Sequence, residues 1–496
     1  MIKVAIIGAG SIGFTRCMFR DILSVPELQD TEFRFMDIDA KNLEITTALC
    51  RMDLEQSGMP AKIIATTNRR RALEGADYIF SFVRVGGLDA FKLDIEIPLK
   101  YGVDQCVGDT LSPGGIMYAQ RTIPVLLSIC ADIRQVAKKD ALFINYSNPM
   151  AMNTWALNRY GKVRAVGLCH GVEGGHWLIA NALGVKQEDL HFVAAGINHQ
   201  TWYIKLIYRG KDMTGKVLPA FEKQPDLLKS EPVRVDVLKR FGYFSTESNG
   251  HLSEYLPWYR KRPGEMFRKW IDRSAWAGGE TGGYLRVCDE SRRWVEHDFR
   301  RWIKEMKTDT IDRSNRSKEH GSYIVEALET GRIYRGHFNV PNKGIITNLP
   351  ENCIVEVPCY VDATGINTPA VGNLPLACAA TCSASVRVQE MAMESAVHGD
   401  RILLKQAILH DPLTAAVCNT EEVWQMADEM LVAMEEWLPQ YKKAIPAAKK
   451  YLGSVRRLGT KKYRGAFRVP ARTLAQMIKD DAAFQRKMAL KTDKTK

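Results

Sequence analysis

IKVAIIGAGSIG, residues 2–13, begins as a run of apolar, largely β-branched residues and ends in closely spaced glycines. Such a run is typical of a buried strand, and the helical pattern TRCMFRDIL follows it directly. The spacing Gly8-x-Gly10-x-x-Gly13 is that of a dinucleotide-binding turn. The first glycine permits the tight turn, the second lets a pyrophosphate approach the backbone, and the third lets the helix pack on the strand. The segment therefore predicts a cofactor site at these three glycines.

A second strand-like run, TEFRFMDID, ends in an acidic residue, Asp37, 24 residues after Gly13. A carboxylate at this place can accept hydrogen bonds from both ribose hydroxyls of NAD, and it would repel the 2′-phosphate of NADP. The alternative role of this carboxylate is to cap a helix. We therefore predict that the cofactor is NAD and that Asp37 helps to bind it.

The alternation of strands and helices continues along the N-terminal part of the chain. Strand-like runs at 77–83, 141–150 and 163–169 are separated by helical stretches. This order predicts an α/β fold, a doubly wound parallel sheet of the Rossmann type similar to that of lactate and malate dehydrogenases. Ligands of such a sheet bind at the carboxyl ends of its strands, where Arg84 and Asn148 lie in the sequence.

Three regions of the chain differ in pattern. Residues 1–195 are predicted to form the NAD-binding, Rossmann-like domain. Residues 196–440 mix strands such as TWYIKLIYR with helices such as SAVHGDRILLKQAILH, which predicts a second α+β domain for substrate binding and oligomerisation. Residues 441–496 are a basic C-terminal extension.

The net charge of +12 is confined to this extension. Residues 441–496 hold 17 Lys and Arg against 3 Asp, a charge of +14, which leaves about −2 for residues 1–440. A solvated tail and an arm that binds a polyanion are the two interpretations of such a segment. The body offers no basic stripe that would cooperate with the tail, so we expect a solvated tail and no nucleic-acid partner.

The composition excludes several classes of protein. The chain of 496 residues is 46% apolar, far from the composition of a disordered protein. No apolar run approaches the roughly 18 residues of a membrane-spanning helix, and the N-terminal segment lacks the cleavage site of a signal peptide. Eleven cysteines, an odd number, fit reduced thiols better than a disulfide framework. We therefore expect a globular, cytoplasmic protein without a membrane partner.

Cys169 and His199 each follow an apolar, strand-like segment that contains a glycine. A thiolate and an imidazole suit Mn²⁺, Fe²⁺, Co²⁺, Ni²⁺ or Zn²⁺, and two protein ligands leave coordination positions free for substrate oxygens. The alternative is an ordinary buried thiol and a hydrogen-bonded core histidine. The residue pattern alone leaves both interpretations open.

Several motifs follow one another in unbroken order along residues 1–440. They are GAGSIGF, MDID, GDTLSPGGIMYAQRTIP, NYSNPMAMNTWAL, GLCHG, GINH, TESNGHLSEYLPW, NLPENCIVEVPCYVDATGI and HDPLTAAV. Together they resemble glycoside hydrolase family 4, and within it most closely the melibiase-type α-galactosidases. The basic C-terminal extension lies outside this pattern.

The resemblance implies an NAD- and Mn²⁺-dependent α-galactosidase, a recognised exception to hydrolysis by two carboxylates. In this scheme NAD⁺ takes a hydride from C3 of the sugar, a base removes the acidified proton at C2, and the glycosidic oxygen leaves by elimination. Water then adds to the enone, and NADH returns the hydride. Cys169 and His199 match the metal ligands of the family, and Asn148 matches its substrate-contacting Asn-Pro.

The residues expected to transfer protons include one that matches the family and two at which the chain departs from other members. Asp109 matches a carboxylate proposed as the acid in α-specific members, and its alternative role is to cap a helix. His170 stands where phospho-sugar members carry an acidic aspartate, so the acid is either Asp109 or His170. His251 stands where other members carry a tyrosine, and a neutral imidazole can abstract a proton. Tyr255 and Glu247 are the alternatives for the base.

Other functions fit parts of the pattern. A family member that acts on α-glucosides, α-glucuronides or α-galacturonides is the alternative for the substrate. A 2-hydroxyacid dehydrogenase would share the Rossmann start and the Asn-Pro, but it would leave Cys169 without a role. Relatives in the family form dimers or tetramers, so we expect a homo-oligomer.

Overall fold

The computed structural model describes residues 1–305, 310–460 and 462–482. The strands are β1 (Lys3–Ile7), β2 (Glu32–Met36), β3 (Lys62–Thr66), β4 (Tyr78–Ser81), β5 (Leu142–Asn145), β6 (Arg164–Leu168), β7 (Leu190–Ile197), β8 (Gln200–Tyr208), β9 (Lys211–Asp212), β10 (Phe244–Ser245), β11 (Tyr334–Pro341), β12 (Ile354–Asp362) and β13 (Gly365–Asn367). The helices are α1 (Ile12–Leu23), α2 (Ala40–Ser57), α3 (Arg69–Leu73), α4 (Gly87–Lys100), α5 (Ser112–Val136), α6 (Met150–Ala156), α7 (Gly171–Leu183), α8 (Val217–Glu222), α9 (Pro225–Ser230), α10 (Pro232–Phe241), α11 (Asn249–Tyr255), α12 (Pro263–Glu265), α13 (Gly283–Glu305), α14 (His320–Thr330), α15 (Leu376–His398), α16 (Arg401–His410), α17 (Pro412–Val417), α18 (Thr420–Ala433) and α19 (Ile445–Ser454).

Six parallel strands form the N-terminal part of the sheet, in the order β3-β2-β1-β4-β5-β6. This is the usual strand order of a dinucleotide-binding fold. The central strands β4 and β5 are buried along their whole length, because helices cover both faces of the sheet. Burial on both faces explains why these strands appear in the sequence as continuous apolar runs. The predicted Rossmann-like sheet is confirmed.

The sheet continues beyond β6 into the second part of the chain. β11 pairs antiparallel with β6, with Phe338 opposite Leu168, and β12, β7, β8 and β10 follow outward. These antiparallel strands and the helices around them form the predicted α+β part. The domain boundary that we predict between residues 195 and 196 falls inside β7, so the two parts share one continuous sheet.

α5 lies at the centre of the fold. By length and hydropathy it is the one helix of the described ranges that could cross a membrane, but 67% of its most apolar window is buried inside the protein. It packs against α4, α6 and α15. α5 is therefore a helix of the protein core.

The C-terminal helices differ from the sequence prediction at one point. We predict a helix over residues 395–410, whereas α15 ends at His398 and α16 begins at Arg401. Gly399 between them has φ of 66°, in the left-handed region, and Asp400 caps α16 with its carboxylate. A left-handed glycine ends a helix, so the break is encoded locally.

Residues 441–482 pack on the body of the protein, so the prediction of a solvated tail is wrong for this part. Tyr441 is fully buried, and α19 packs against α18. Farther along, the positive charge of Arg472 is paired with Glu290 at 2.8 Å. The prediction for residues 483–496 lies outside the described residues.

Candidate active site

The glycine turn after β1 has the backbone that a dinucleotide site requires. Gly8 has φ of 89°, and a Cβ atom added there would lie 2.9 Å from the carbonyl carbon of Phe82. Gly10 donates its N–H to Oδ2 of Asp37 at 2.7 Å, and a Cβ atom at Gly10 would lie 2.8 Å from the same oxygen. Only glycine fits at both positions without a shift of the neighbouring atoms.

Asp37 follows β2 and does not cap the next helix. The N-cap of α2 is Asp39, whose carboxylate accepts the N–H groups of Lys41 and Asn42. The capping alternative for Asp37 is therefore wrong, and its carboxylate lies beside the glycine turn. Gly13 does not have the predicted packing role, because a Cβ atom added there would meet no described atom within 4 Å.

Cys169 and His199 meet at the carboxyl end of the parallel strands. Cys169 follows β6, and His199 lies in the turn between β7 and β8 with φ of 66°. The Cys169 Sγ lies 3.4 Å from His199 Nε2, and Glu247 Oε1 lies 3.8 Å from each of these two atoms. We call Cys169, His199 and Glu247 the donor set. A thiol, an imidazole and a carboxylate that converge in this way fit a first-row divalent cation.

Glu247 reaches the donor set because the residue that faces it has no side chain. Glu247 precedes α11 and is buried. A Cβ atom added at Gly171, in the first turn of α7, would lie 1.5 Å from Glu247 Oε1. The glycine after the Cys-His pair therefore makes room for the third member of the set.

One hydroxyl fixes the tautomer of His199. Thr110 Oγ1 lies 2.8 Å from Asp109 Oδ1 and 2.6 Å from His199 Nδ1. The single hydroxyl proton is donated to the carboxylate, so the hydroxyl oxygen accepts the N–H of Nδ1. His199 Nε2 then presents a lone pair to the donor set, as a metal ligand requires. The Tyr255 hydroxyl lies 3.5 Å from Nδ1, on the side of the ring away from the donor set.

Asp109 is a buried carboxylate beside Asn148. Its Oδ2 accepts a hydrogen bond from Asn148 Nδ2 at 2.7 Å. It does not cap α5, whose N-cap residue forms no side-chain capping bond, so that alternative role is wrong. Its carboxylate and the ring nitrogens of His199 and His251 lie within 4.8 Å of one another.

His251 lies near the start of α11 and faces His199. The centres of the two imidazole rings are 5.1 Å apart. His251 Nδ1 lies 2.5 Å from Ser248 Oγ and 3.9 Å from Glu247 Oε2. Burial lowers the pKa of the His251 imidazole, so the ring is neutral near pH 7 and able to accept a proton.

Charges within the site shift the pKa values of the donor set in different directions. Burial raises the pKa of the Cys169 thiol well above its usual value, and the nearby Glu247 and Glu356 raise it further. Burial also acts to raise the pKa of Glu247, but His199 and His251 lower it below its usual value. The protein alone therefore holds a thiol and a carboxylate here, and a bound divalent cation would displace the thiol proton.

His170 lies next to Cys169 in the chain but points elsewhere. Its side chain is 67% exposed, and its Nδ1 lies 3.6 Å from Glu319 Oε1. Of the two candidate acids, Asp109 is buried and held by an amide, whereas His170 lies at the surface beside a carboxylate.

Two family models match the chain. The first, described as family 4 glycosyl hydrolase, matches residues 3–185, and the second, described as the C-terminal domain of that family, matches residues 194–414. The chain belongs to glycosyl hydrolase family 4. The resemblance indicated by the motifs is confirmed, and this family 4 protein is a glycoside hydrolase rather than a 2-hydroxyacid dehydrogenase.

Relatives of this family 4 chain extend along nearly all of it. It is 55% identical to an α-galactosidase of Rhizobium meliloti, over 98% of this chain and 99% of the relative. It is 34% identical to an α-galactosidase of Bacillus subtilis, over 89% of this chain and 100% of the relative. The fold is also that of the 6-phospho-beta glucosidase from Thermotoga maritima, solved with manganese, NAD⁺ and glucose-6-phosphate. The two share 22% identity and a TM-score of 0.70, over 88% of this chain and 99% of that one.

A cage of aromatic rings surrounds Arg84 in this family 4 site. The guanidinium carbon lies 4.7 Å from the ring centre of Phe91, 5.1 Å from that of Tyr118 and 5.4 Å from that of Tyr284. Electrostatic attraction to the ring faces holds a guanidinium in such a cage. Arg84 follows β4 at the same sheet edge as the donor set.

Sequence reasoning missed part of this site. The sequence predicts Glu247 only as an alternative base, and it predicts no role for Thr110 or Tyr284. The first two stand in quoted motifs, beside His251 and Asp109 respectively, so a signal existed for them. Tyr284 lies outside every motif, and only the packing of α13 brings it to the site.

Proposed function

We propose that the protein is an NAD- and Mn²⁺-dependent α-galactosidase. The observation that carries the proposal is the donor set, which lies beside Asp109 at the carboxyl edge of a sheet that begins with a dinucleotide turn. The 55% identity with an α-galactosidase along nearly the whole chain supports the galactoside as substrate. The Thermotoga relative was solved with manganese and NAD⁺, and the donor set and glycine turn of this chain fit both groups.

The residues that would hold the two cofactors are separate groups. Cys169 and His199, with Glu247 as a third ligand, would hold the metal. The residues proposed for NAD are Gly8, Gly10, Gly13, Asp37 and Asn148. When bound, NAD supplies a hydride acceptor and Mn²⁺ supplies a Lewis acid for the sugar oxygens.

The proposed reaction is hydrolysis without net oxidation. C3 of the galactose is oxidised, a proton leaves C2, the glycosidic oxygen departs, water adds at C1, and C3 is reduced again. Oxidation comes first because a ketone at C3 acidifies the neighbouring C–H bond. The protein must therefore provide a base for the C2 proton and an acid for the departing oxygen.

His251 is the base in this proposal. Its imidazole is neutral near pH 7 and faces His199, beside the donor set. The two alternatives are less well placed: the Tyr255 hydroxyl lies on the far side of the His199 ring, and Glu247 belongs to the donor set. Abstraction of the C2 proton by His251 Nε2 requires that Nδ1 carries the ring proton and donates it to Ser248 Oγ, 2.5 Å away.

Asp109 is the acid in this proposal. Asn148, which we expect to contact the substrate, donates to one carboxylate oxygen, and Thr110 donates to the other. These bonds hold Asp109 beside His199 and His251, and Asp109 must take up a proton before it can protonate the departing glycosidic oxygen. The surface position of His170 supports Asp109 over His170 in this role.

Two further predictions belong to the proposal. A thiol ligand and NAD fit the cytoplasm, and none of the eleven cysteines, all of which lie in the described residues, forms a disulfide. The homo-oligomer expected from the sequence stays a prediction.

The test is hydrolysis of 4-nitrophenyl α-galactoside in the presence of NAD⁺, Mn²⁺ and a thiol reductant. We expect hydrolysis that requires all three and forms no net NADH, because the hydride is returned within each turnover. The α-glucoside and the α-galacturonide are the control substrates, and faster hydrolysis of either would change the proposed sugar. Full activity in EDTA without NAD⁺ would contradict the whole scheme.

A further inference from the structure

The chain after α19 crosses the protein in extended form. Residues 456–460 and 462–472, which we call the C-terminal strap, begin against α18 and end against α13. At the far end the Arg472 guanidinium pairs with Glu290 at 2.8 Å, and the backbone N–H of Arg472 donates to the same carboxylate at 2.8 Å. The strap therefore joins two helices that are distant in sequence.

The middle of the strap binds one buried carboxylate, that of Asp104. Tyr463 Oη and the N–H of Ala466 each donate to Asp104 Oδ2 at 2.8 Å. The Arg260 guanidinium donates to Oδ1 at 2.7 Å, and the Thr281 hydroxyl donates to it at 2.8 Å. Asp104 is fully buried, so without the strap this carboxylate would lose two of its donors inside the protein.

Asp104 begins the loop of residues 104–111, which carries Asp109. The middle of this loop is held by Glu254 of α11, whose carboxylate accepts three successive backbone N–H groups at 2.6 to 2.9 Å. The loop is therefore fixed at two carboxylates. The strap supplies donors to one of them.

The strap also fixes the start of α13. Thr281 donates its N–H to the carbonyl oxygen of Phe467 at 2.7 Å. Gly465 has φ of 98°, and a Cβ atom added there would lie 2.3 Å from Thr281 Oγ1. Only glycine permits this close approach. Three residues after Thr281 comes Tyr284, which forms one wall of the cage around Arg84.

We propose, on the basis of the function proposed above, that the C-terminal strap is a positioning element of the substrate side of the active site. It holds the loop that carries Asp109 from one side and the start of α13 from the other. The glycine turn belongs to β1 and α1, whereas the strap binds α18, α13, the loop 104–111 and, through Arg468 and Glu96, α4. The strap therefore acts on galactoside binding and turnover and leaves NAD binding unchanged.

The test is a double variant, Tyr463→Phe with Arg472→Gln, which removes the contacts to Asp104 and Glu290 that depend on side chains of the strap. We expect kcat/KM for 4-nitrophenyl α-galactoside to fall about 10-fold to 100-fold, with the larger part in KM, because misplacement of a catalytic loop has effects of this size. The Kd for NAD⁺ is expected to stay within about twofold of the wild-type value, since the strap does not bind the glycine turn.

Arg464→Gln is the matched control. Arg464 is exposed on the same strap and forms no hydrogen bond or ion pair with other residues in the described ranges. The substitution therefore removes one positive charge and leaves every described contact of the strap in place. Its kcat and KM are expected to equal those of the wild type. Replacing Arg472 by Lys instead of Gln in the double variant should restore part of kcat/KM, because a lysine can still pair with Glu290. Wild-type KM and kcat in the double variant would overturn the proposal.

Hydrogen exchange separates this proposal from the proposed function. Amides of residues 104–111 and 281–288 should exchange faster in the double variant than in Arg464→Gln, whatever the enzyme hydrolyses. Unchanged exchange in both segments would overturn the positioning role. If exchange increases but the wild type does not hydrolyse α-galactosides, the strap proposal stands and the galactosidase proposal fails.

Discussion

His251 is the residue on which the proposed proton transfer depends most directly. We expect His251→Ala to lower kcat by about 10²-fold to 10⁴-fold, the usual effect of losing a positioned base. Exchange of the C2 hydrogen with solvent deuterium should be lost together with turnover. NAD affinity should persist, because the glycine turn belongs to other elements. The measurement is mass spectrometry of unreacted α-galactoside recovered from D₂O.

Tyr255→Phe is the control for this experiment, because the Tyr255 hydroxyl lies beside His199 Nδ1, on the side of the ring away from the donor set. We expect this variant to retain exchange of the C2 hydrogen. If His251→Ala exchanges the C2 hydrogen at the wild-type rate, the base is another group. Glu247→Gln would then be the variant to compare, with its metal affinity measured alongside.

The sequence is informative about some residues of the site and silent about others. Cys169 and His199 could be singled out because each follows a strand-like run, whereas Asp109 could be singled out only because it stands in a motif that resembles the family. The bond of Thr110 to His199 could not, since 89 residues separate them and no periodicity links the two segments. Glu247 stands in a quoted motif, but its contact with Cys169 could not be predicted either, because 78 residues separate the two. Contacts of this kind depend on how the elements pack.

At the scale of a single element, the start of α7 decides whether the donor set can form. We expect Gly171→Ala to lower Mn²⁺ affinity by about 10-fold to 100-fold, because the new methyl group would displace Glu247 Oε1. Gly174→Ala is the matched control in the same helix, since its added Cβ atom meets nothing within 4 Å among the described atoms. Calorimetric titration with Mn²⁺ measures both variants. Equal affinities would show that Glu247 does not contribute to metal binding.

Individual helices and strands are easier to predict from the sequence than the contacts that they form with distant segments. The run before Gly8 and the glycine spacing encode β1 and its turn locally, and the structure has both. The helix expected at 395–410 is broken at Gly399, which takes the left-handed conformation that commonly ends a helix, so the glycine itself marks the break in the sequence. The docking of the C-terminal strap had no such signal, because Tyr463 and its partner Asp104 are 359 residues apart.

At the scale of the whole molecule, buried histidines make the stability depend on pH. Burial lowers the pKa of His176 from 6.5 to about 4, and His320 behaves in the same way. Between about pH 6.5 and pH 4 the unfolded chain binds more protons than the folded protein, so the free energy of unfolding decreases as the pH falls. The contribution of each histidine is fully present above pH 6.5. It is lost by about pH 4, and a shift from 6.5 to about 4 corresponds to roughly 3 kcal/mol at 1.4 kcal/mol per pKa unit.

His176→Gln should therefore flatten the pH dependence of the free energy of unfolding between about pH 6.5 and 4.5. The measurement is urea unfolding at several pH values, with the slope rather than the absolute stability compared. His191→Gln is the control, since His191 is exposed in β7 and should leave the slope unchanged. An identical slope in wild type and His176→Gln would contradict the role of His176.

The continuity of the sheet across β6 and β11 sets how substrate can enter. Many two-domain enzymes open by rotating one half about a flexible linker between the halves. Here such a rotation would break main-chain hydrogen bonds between Leu168 and Phe338 in the middle of a β-sheet. The donor set takes Cys169 from one side of this seam and His199 from the other, so its geometry is built on a rigid frame. We therefore expect sugar to enter and leave by movements of side chains and loops around the donor set rather than by rotation of one half of the described sheet against the other.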